Sequence, residues 1–482
     1  MKFGGLELFL DDERVAYTRN ARRQVQRPVL HPRNPLIRRE HPWEESHVAM
    51  YGHVEYDPNP DDGPDGRRAR FRMWYNAFGP SYYDEQMLAY AESVDGIAWT
   101  KPKLDVRTWG RRRKTNILFG PEANVHGPGI VRNPDQSDPR RRWLLLFDSY
   151  PKFRPEAEAL GIRGRWSYTA ESPDGLHWTP EKGRPAFEGK ADSAQCVLWD
   201  PLVKRFRAYS RLTTTDAFGQ RIRTFRLLES KDFRAWGPPQ EAFRPDAEDG
   251  APDAQLQSLA VSLYDGIYIG FVTLFRISQY VTRPGHIDEG AQIDSTHLLT
   301  SRDGLHFHRV AGRQRILEPA PSGYGATGYR LAPHVVVCGD EVRIYLASKS
   351  RRGGRWSGLE IGLASLNKDR FCAFLPDRMR DDLLVELVPL EYGRRPLALN
   401  ADAGRAGRVR AEVADMSGNA IEGFTRDDAV ELTGDAADHP LRWRKGDRAV
   451  GLEALPASHR GKPVRLRLWG EQASIFALRQ VR

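Results

Sequence analysis

Three short apolar runs, "HVAMYGHVEYD", "ARFRMWYNAF" and "QMLAYAES", succeed one another between positions 47 and 93, each bounded by Asp, Pro or Gly. Their length, aromatic content and punctuation predict three antiparallel strands. The same triplet returns as "HGPGIVRNP", "RWLLLFDSY" and "RWSYTAES" from position 126, and three more triplets follow, the last ending near "EIGLAS". After each triplet stands one eight-residue signature: "ESVDGIAW" at 92, "ESPDGLHW" at 171, "ESKDFRAW" at 229, "TSRDGLHF" at 300 and a degraded "ASLNKDRF" at 364.

The signature has a structural reading. Its aspartates, Asp95, Asp174, Asp232, Asp303 and Asp369, are placed to accept backbone N–H bonds across a turn. Gly supplies the left-handed backbone, and Trp packs between neighbouring units. None of the five is a catalytic candidate. A unit of three strands, a turn and a short outer strand carrying the Trp, repeated five times, predicts an all-β five-bladed β-propeller over 31–378. The sialidase Asp-box is the competing repeat, but it carries an extra residue between Asp and Gly and normally decorates six blades. Residues 1–30 read as an N-terminal strand and lead-in, with "LELFLDD" expected to pair with the final blade or the tail. Residues 379–482 alternate apolar and polar positions between Gly-rich turns, which predicts a separate β-sandwich.

Composition agrees with many short strands: 482 residues, 43 Gly, 33 Pro and 49 aromatics. The net charge of +9 comes from scattered basic residues. Runs such as "WGRRRKTN" read as solvated loops, so no nucleic-acid partner is expected. Cys196, Cys338 and Cys372 form neither a disulfide framework nor a metal spacing. No stretch has signal-peptide or membrane-span character. The expected location is cytoplasmic, or exported with a signal already removed, with no membrane partner.

The combination "LELFLDD", "HPWEE", "RFRMWYNAF", "AESVDGIAWTKP", "ADSAQCVLWDP", "TSRDGLHFHR", "LALNADAGRAGRVRAEV" and "IEGF" resembles bacterial predicted glycosidases. These are related to the five-bladed propeller glycoside hydrolases, a group with invertases, levansucrases and arabinanases. The resemblance implies a central funnel into which inner strands point carboxylates, one ionised and one protonated, flanking a glycosidic bond. On that reading Glu44, Asp192 and Asp253 are the catalytic candidates. Glu44 matches the Pro-Trp-Glu position, and Asp192 matches an Asp-Ser-Gln-like position with Gln195 displaced by one. Asp253, Gln255 and Gln257 alternate, which places them on one face. His126, Gln195, Gln255, Gln257, Tyr329, Arg330 and His334 are the substrate-binding candidates. Blade two departs from the family, with Arg132 followed by Asn133 where an Arg-Asp-Pro motif is usual.

The expected activity is hydrolysis of a terminal sugar from an oligo- or polysaccharide, because a funnel closed at one end takes a chain terminus. A phosphate-dependent glycoside phosphorylase, using Arg132, His126, Arg330 and His334, is the enzymatic alternative. A non-catalytic glycan-binding propeller is the other, favoured by the missing blade-two aspartate. No cofactor is expected: Ca²⁺ occurs at the centre of some relatives, but no Asp-rich calcium loop is present.

Overall fold

The computed structural model describes residues 4–60, 70–150, 165–181, 185–187, 193–215, 219–283, 286–287, 292–352, 355–378, 381–392 and 395–481. Five antiparallel sheets follow one another along the chain. Blade one is His47–Tyr56, Phe71–Phe78, Gln86–Ser93 and Ile117–Phe119, and blade two is His126–Arg132, Trp143–Ser149, Trp166–Ser172 and Thr179–Pro180. Blade three is Cys196–Asp200, Arg205–Thr215, Arg221–Ser230 and Gln240–Phe243. Blade four is Ala254–Tyr264, Ile267–Arg276, Ser295–Ser301 and His308–Arg309. The first strand of each blade packs on the first strand of the next, and Arg330–Leu331 of blade five packs back on His47–Tyr56 of blade one. That closed circuit is a five-bladed β-propeller. The second strands are buried on both faces, as strands between neighbouring blades must be. Trp143–Ser149 is buried at every position, which explains its unbroken apolar run.

Blade five departs from the expected plan. Arg330–Leu331, Glu341–Ser348 and Glu360–Asn367 supply its first three strands, but its outer strand is Val29–Leu30, paired with Ser365 and Ala364. The expected outer strand from "DRFCAF", Cys372–Pro376, pairs with Ala21–Val25 and Ser474–Gln480 in a different sheet. A strand from before blade one therefore completes the last blade and fastens the ring.

The turn signature also fixes the ring. Ser93 Oγ receives the Gly96 amide at 2.8 Å and donates to Asp95 Oδ1 at 2.9 Å. Asp95 Oδ1 accepts the amides of Ile97 and Ala98 at 2.8 and 2.7 Å. The bonds recur around Asp174, Asp232 and Asp303. Gly96, Gly175 and Gly304 are left-handed, and Phe233 takes that position with φ 66°. Each turn glycine's carbonyl then receives a donor from the second strand of the preceding blade: Tyr345 to Gly96 at 2.9 Å, Trp74 to Gly175 at 2.7 Å, and Tyr209 to Gly304 at 2.7 Å. The fifth copy differs. Asp369 itself is left-handed, and its carboxylate accepts from Tyr264 Oη at 2.6 Å and Arg479 at 2.5 Å, tying blade four to the C-terminal strand.

Outside the ring, two sheets face each other over a core that includes Phe9, Leu399, Val413, Phe424, Trp443 and Leu468. One sheet contains Ala21–Val25, Cys372–Pro376, Ser474–Gln480, Leu397–Asp402 and Asp435–Pro440, with Leu6–Glu7 added on Ser474–Gln480. The other contains Val15–Arg19, Leu383–Leu387, Arg465–Glu471 and Arg408–Ala414. Arg465–Glu471 alternates buried and half-buried positions, the pattern of a sheet with one wet face. The "LELFLDD" strand pairs with the tail, as the unpaired-edge argument required.

Candidate active site

Contacts between first strands of non-adjacent blades locate the propeller axis. Gln257 of blade four points its amide at the Tyr51 hydroxyl of blade one, 3.5 Å away. Arg330 of blade five approaches the same hydroxyl at 3.4 Å. The Tyr51 ring meets the edge of His126, which opens blade two, with centroids 5.7 Å apart. The carbonyl of Gly127 accepts the Gln195 amide at 3.0 Å as blade three begins. All five blades thus send a polar group to one level of the axis.

Two enclosed carboxylates flank this level. Asp294, just before the third strand of blade four, is 3% exposed and stands 3.4 Å from Arg330 Nε, and its other oxygen accepts from Gln292 at 2.8 Å. Burial raises its pKa above the usual carboxylate value, against the pull of Arg330. Asp148, which ends the apolar strand Trp143–Ser149, is fully buried and accepts from Ser167 Oγ at 2.9 Å and Gln195 Nε2 at 2.8 Å.

Deeper along the axis the ring is filled. His334 sets Nδ1 2.8 Å from the Val261 carbonyl and Nε2 2.7 Å from that of Val197, joining blades five, four and three. Burial pushes its pKa down to about 4, and the single ring proton of the neutral form serves one carbonyl at a time. Cys196 of blade three donates to the Pro333 carbonyl of blade five at 3.5 Å beside it. The polar level around Tyr51 therefore has a floor.

The expected residues distribute unevenly over this site. His126, Gln195, Gln257 and Arg330 stand at the axial level, and His334 forms the floor. Asp192 lies outside the described residues. Glu44 is not at the axis. It closes the one-turn helix Pro42–Glu44, and its carboxylate accepts from Tyr75 Oη at 2.6 Å, Lys101 Nζ at 2.8 Å, and the amides of Glu40 and His41 at 3.0 and 3.1 Å. With these four donors it is a structural pin on the flank of blade one. Asp253 sits half-buried at the rim, where it accepts from Ser278 N at 2.7 Å and Ser278 Oγ at 2.8 Å. Burial raises its pKa, but Ser278 and Arg276 outweigh that and hold it below the usual range. The three residues at 253, 255 and 257 do not share a face, because a bulge between Leu256 and Ser258 breaks the alternation. Gln255 instead bonds the Arg223 amide and the Pro252 carbonyl at the blade-three seam. Tyr329 is 1% exposed and packs with Tyr324, Leu331 and Ile344 between blades, away from the axis.

Tyr51, Asp148 and Asp294 were missed by a search confined to strand openings. Asp148 carried a signal: one acid closing an otherwise apolar, fully buried strand.

A cleft of about 770 Å³ lies instead between the lead-in and the blade-four turn. Its cations are answered within the fold: Arg302 by Asp11 and Glu7, Arg23 by Asp12, and Arg309 by Asp249. It is a seam between the ring and the sandwich. Among the described residues no three His, Cys, Asp or Glu side chains gather as a metal site, and no helix is long and apolar enough to cross a membrane.

No family model and no curated protein matches the chain. Among solved structures it is similar to an N-acetylgalactosamine deacetylase from F. plautii, with TM-score 0.46 and 13% identity over 73% of this chain and 97% of that one. It is similar to a member of the GH130 family of mannoside phosphorylases, with TM-score 0.45 and 13% identity over 71% and 94%. A glycosyl hydrolase from Bacteroides ovatus gives 0.44 and 14% over 73% and 95%. At these scores the likeness is one of general strand arrangement, and the propeller assignment rests on the strand pairing itself.

Proposed function

We propose that this chain is a glycosidase that removes a terminal sugar in the axial funnel. The observation that carries the reading is the level around Tyr51, where side chains of blades one, two, four and five meet, with the Gln195 backbone of blade three beside them, above a floor of His334 and Cys196. A blind polar pocket suits the end of a saccharide chain, whose hydroxyls need donors and acceptors from several directions. Asp294, kept toward its protonated form by burial, is the proton donor to the leaving oxygen. Asp148 is the second carboxylate. Hydrogen bonds from His126, Gln195, Gln257 and Arg330 orient the sugar.

The test is a panel of furanosides, pyranosides and natural oligosaccharides incubated with the wild-type chain and with Asp294→Asn, with and without inorganic phosphate. Release of a monosaccharide without phosphate, lost in the variant, is expected. Product formed only with phosphate would mark the phosphorolytic alternative, and binding with no product the non-catalytic one.

A further inference from the structure

At Tyr51 and Arg330 the donors outnumber the acceptors that the described residues offer them. Tyr51 Oη faces two N–H groups, Arg330 Nη1 at 3.4 Å and Gln257 Nε2 at 3.5 Å, which together take up its lone pairs. Its own hydroxyl hydrogen is thereby turned toward a third partner, and no described residue accepts it. Arg330 is in the same position. A guanidinium presents five N–H donors in a planar fork, and the described residues meet two of them, Nε by Asp294 and Nη1 by Tyr51, both at 3.4 Å. Those distances lie at the outer edge of hydrogen bonding. The Nη2 arm has no described partner, although the side chain is only 16% exposed. Asp294 cannot supply more, because its second oxygen is engaged by Gln292.

The surroundings add charge of the same sign. His47, at the start of the blade-one inner strand, is held neutral with its pKa pushed down to about 3, first by burial and then by Lys349, Arg330 and Arg39. All three of those neighbours are cations. The Arg330 Nη2 arm and the Tyr51 hydroxyl hydrogen, with no acceptor among the described residues, are poorly matched to a neutral hydroxyl, which brings a donor with each acceptor. They match a carboxylate, which brings acceptors only.

We infer that the sugar bound at this level is a uronic acid, its carboxylate seated on the Arg330 fork and the Tyr51 hydroxyl. The inference rests on the reading of the funnel as a sugar site and narrows its substrate to acidic saccharides.

Binding is measured by thermal shift and calorimetry on the full chain, with D-glucuronate and D-galacturonate each set against glucose and galactose, and with inorganic phosphate as a separate probe. Uronates are expected to bind at least tenfold tighter than the matched neutral sugars, with the preference shrinking between about 0.05 and 1 M salt. Arg330→Lys keeps the charge and removes the fork, and is expected to reduce the preference about tenfold while the melting curve stays cooperative. Tyr51→Phe provides a second variant that leaves the Arg330–Asp294 pair intact, and it should lower uronate affinity by a larger factor than that of the neutral sugars. Equal binding of uronate and neutral sugars overturns the inference, as does a preference unchanged in both variants. Binding of phosphate with no response to uronates overturns it too, by assigning the oxyanion to a free ion. A persistent Arg330-dependent uronate preference in a chain that releases no product would support the inference while refuting the glycosidase reading. Turnover of neutral saccharides alone would do the reverse.

Discussion

The rim turns and the axial level are both dense in hydrogen bonds, yet they are built on opposite plans. At the rim one arrangement recurs four times: each turn aspartate takes two amides at 2.7–2.9 Å, and three turn glycines receive a donor from the neighbouring blade. These donors find their acceptors within a few residues or one blade away. At the axis nothing repeats. Tyr51, His126, Gln195, Gln257 and Arg330, at the openings or inner strands of five blades, share no common bonding arrangement, and the contacts around Tyr51 stretch to 3.4–3.5 Å. The carboxylates diverge accordingly. The turn aspartates are held below the usual range by the bonds they accept, against the effect of burial, while burial holds Asp294 above it. Repetition in this ring marks what holds it together, and its interruption marks the candidate site.

The largest effect expected from breaking this contrast is at Asp294. Asp294→Asn keeps the volume and removes the transferable proton, so turnover should fall by about 10²–10⁴-fold, the usual range for a lost general acid. The fold should survive, because a carboxyl whose folded pKa is raised stabilises the native state in its protonated form, and that contribution fades as pH rises through the folded pKa. Kinetics beside a melting curve decide the point. Unchanged turnover in a folded variant would remove Asp294 from the chemistry. The alkaline limb of the rate profile, set by Asp294 losing its proton, should flatten in the residual activity of the variant.

Glu44 gives the opposite outcome. Glu44→Ala removes the acceptor of the buried Tyr75 hydroxyl and one of the two carboxylates on Lys101, leaving Glu40 at 3.2 Å, and should cost about 1–3 kcal/mol of stability, the range for a buried donor left unsatisfied. Activity per folded molecule should stay near the wild-type value in denaturant-free buffer. A folded, stable and inactive variant would return Glu44 to the catalytic set.

What was legible in the sequence follows the same division. Ser-x-Asp followed by Gly, or once by Phe, spans a few residues, and its bonds close within that span, so four copies of it, with the strands between them, announced the ring. The fifth copy misled because Asp369 faces Arg479 from the end of the chain, a contact no local pattern encodes. Likewise Val29–Leu30 is too short to be read as a strand until Glu360–Asn367 offers it an edge. At the axis, Tyr51 and Gln257 are 206 residues apart in sequence. Only closure of the ring brings them together. Alternation placed Gln255 on the axis, and one bulged residue turned it to the seam. Glu44 stood out as an acid before an inner strand, but the helical turn of Pro42–Glu44 folds it back onto Lys101.

Acid should expose the rim before the axis. The folded pKa values of Asp95, Asp174, Asp232 and Asp303 are depressed, so their contribution is present above the unfolded carboxylate value of about 4 and is lost as pH falls through the folded values. Asp294 changes in the other sense, so lowering the pH adds nothing to its cost. Melting temperature measured from pH 7 to pH 3 should decline most steeply below about pH 4. Asp174→Asn should flatten part of that decline and Asp294→Asn none of it.

The smallest expected effect tests how the ring is fastened. Tyr345 and Tyr209 make the same bond at two seams: Tyr345 from blade five to the Gly96 carbonyl at 2.9 Å, and Tyr209 from blade three to that of Gly304 at 2.7 Å. Only the first crosses the junction where the chain's last blade meets its first. Tyr→Phe at either site removes one buried hydrogen bond and keeps the ring in place, which costs about 1 kcal/mol. If Val29–Leu30 carries the closure by completing blade five, the two variants should lose stability within about 0.5 kcal/mol of one another, as equivalent and distant sites do. If closure instead depends on the latch, Tyr345→Phe should lose several times more than Tyr209→Phe, and urea titrations of the two should separate. The pairing of Val29 with Ser365 and Leu30 with Ala364 favours the first result, because it joins the ends of the ring through backbone bonds that neither substitution touches.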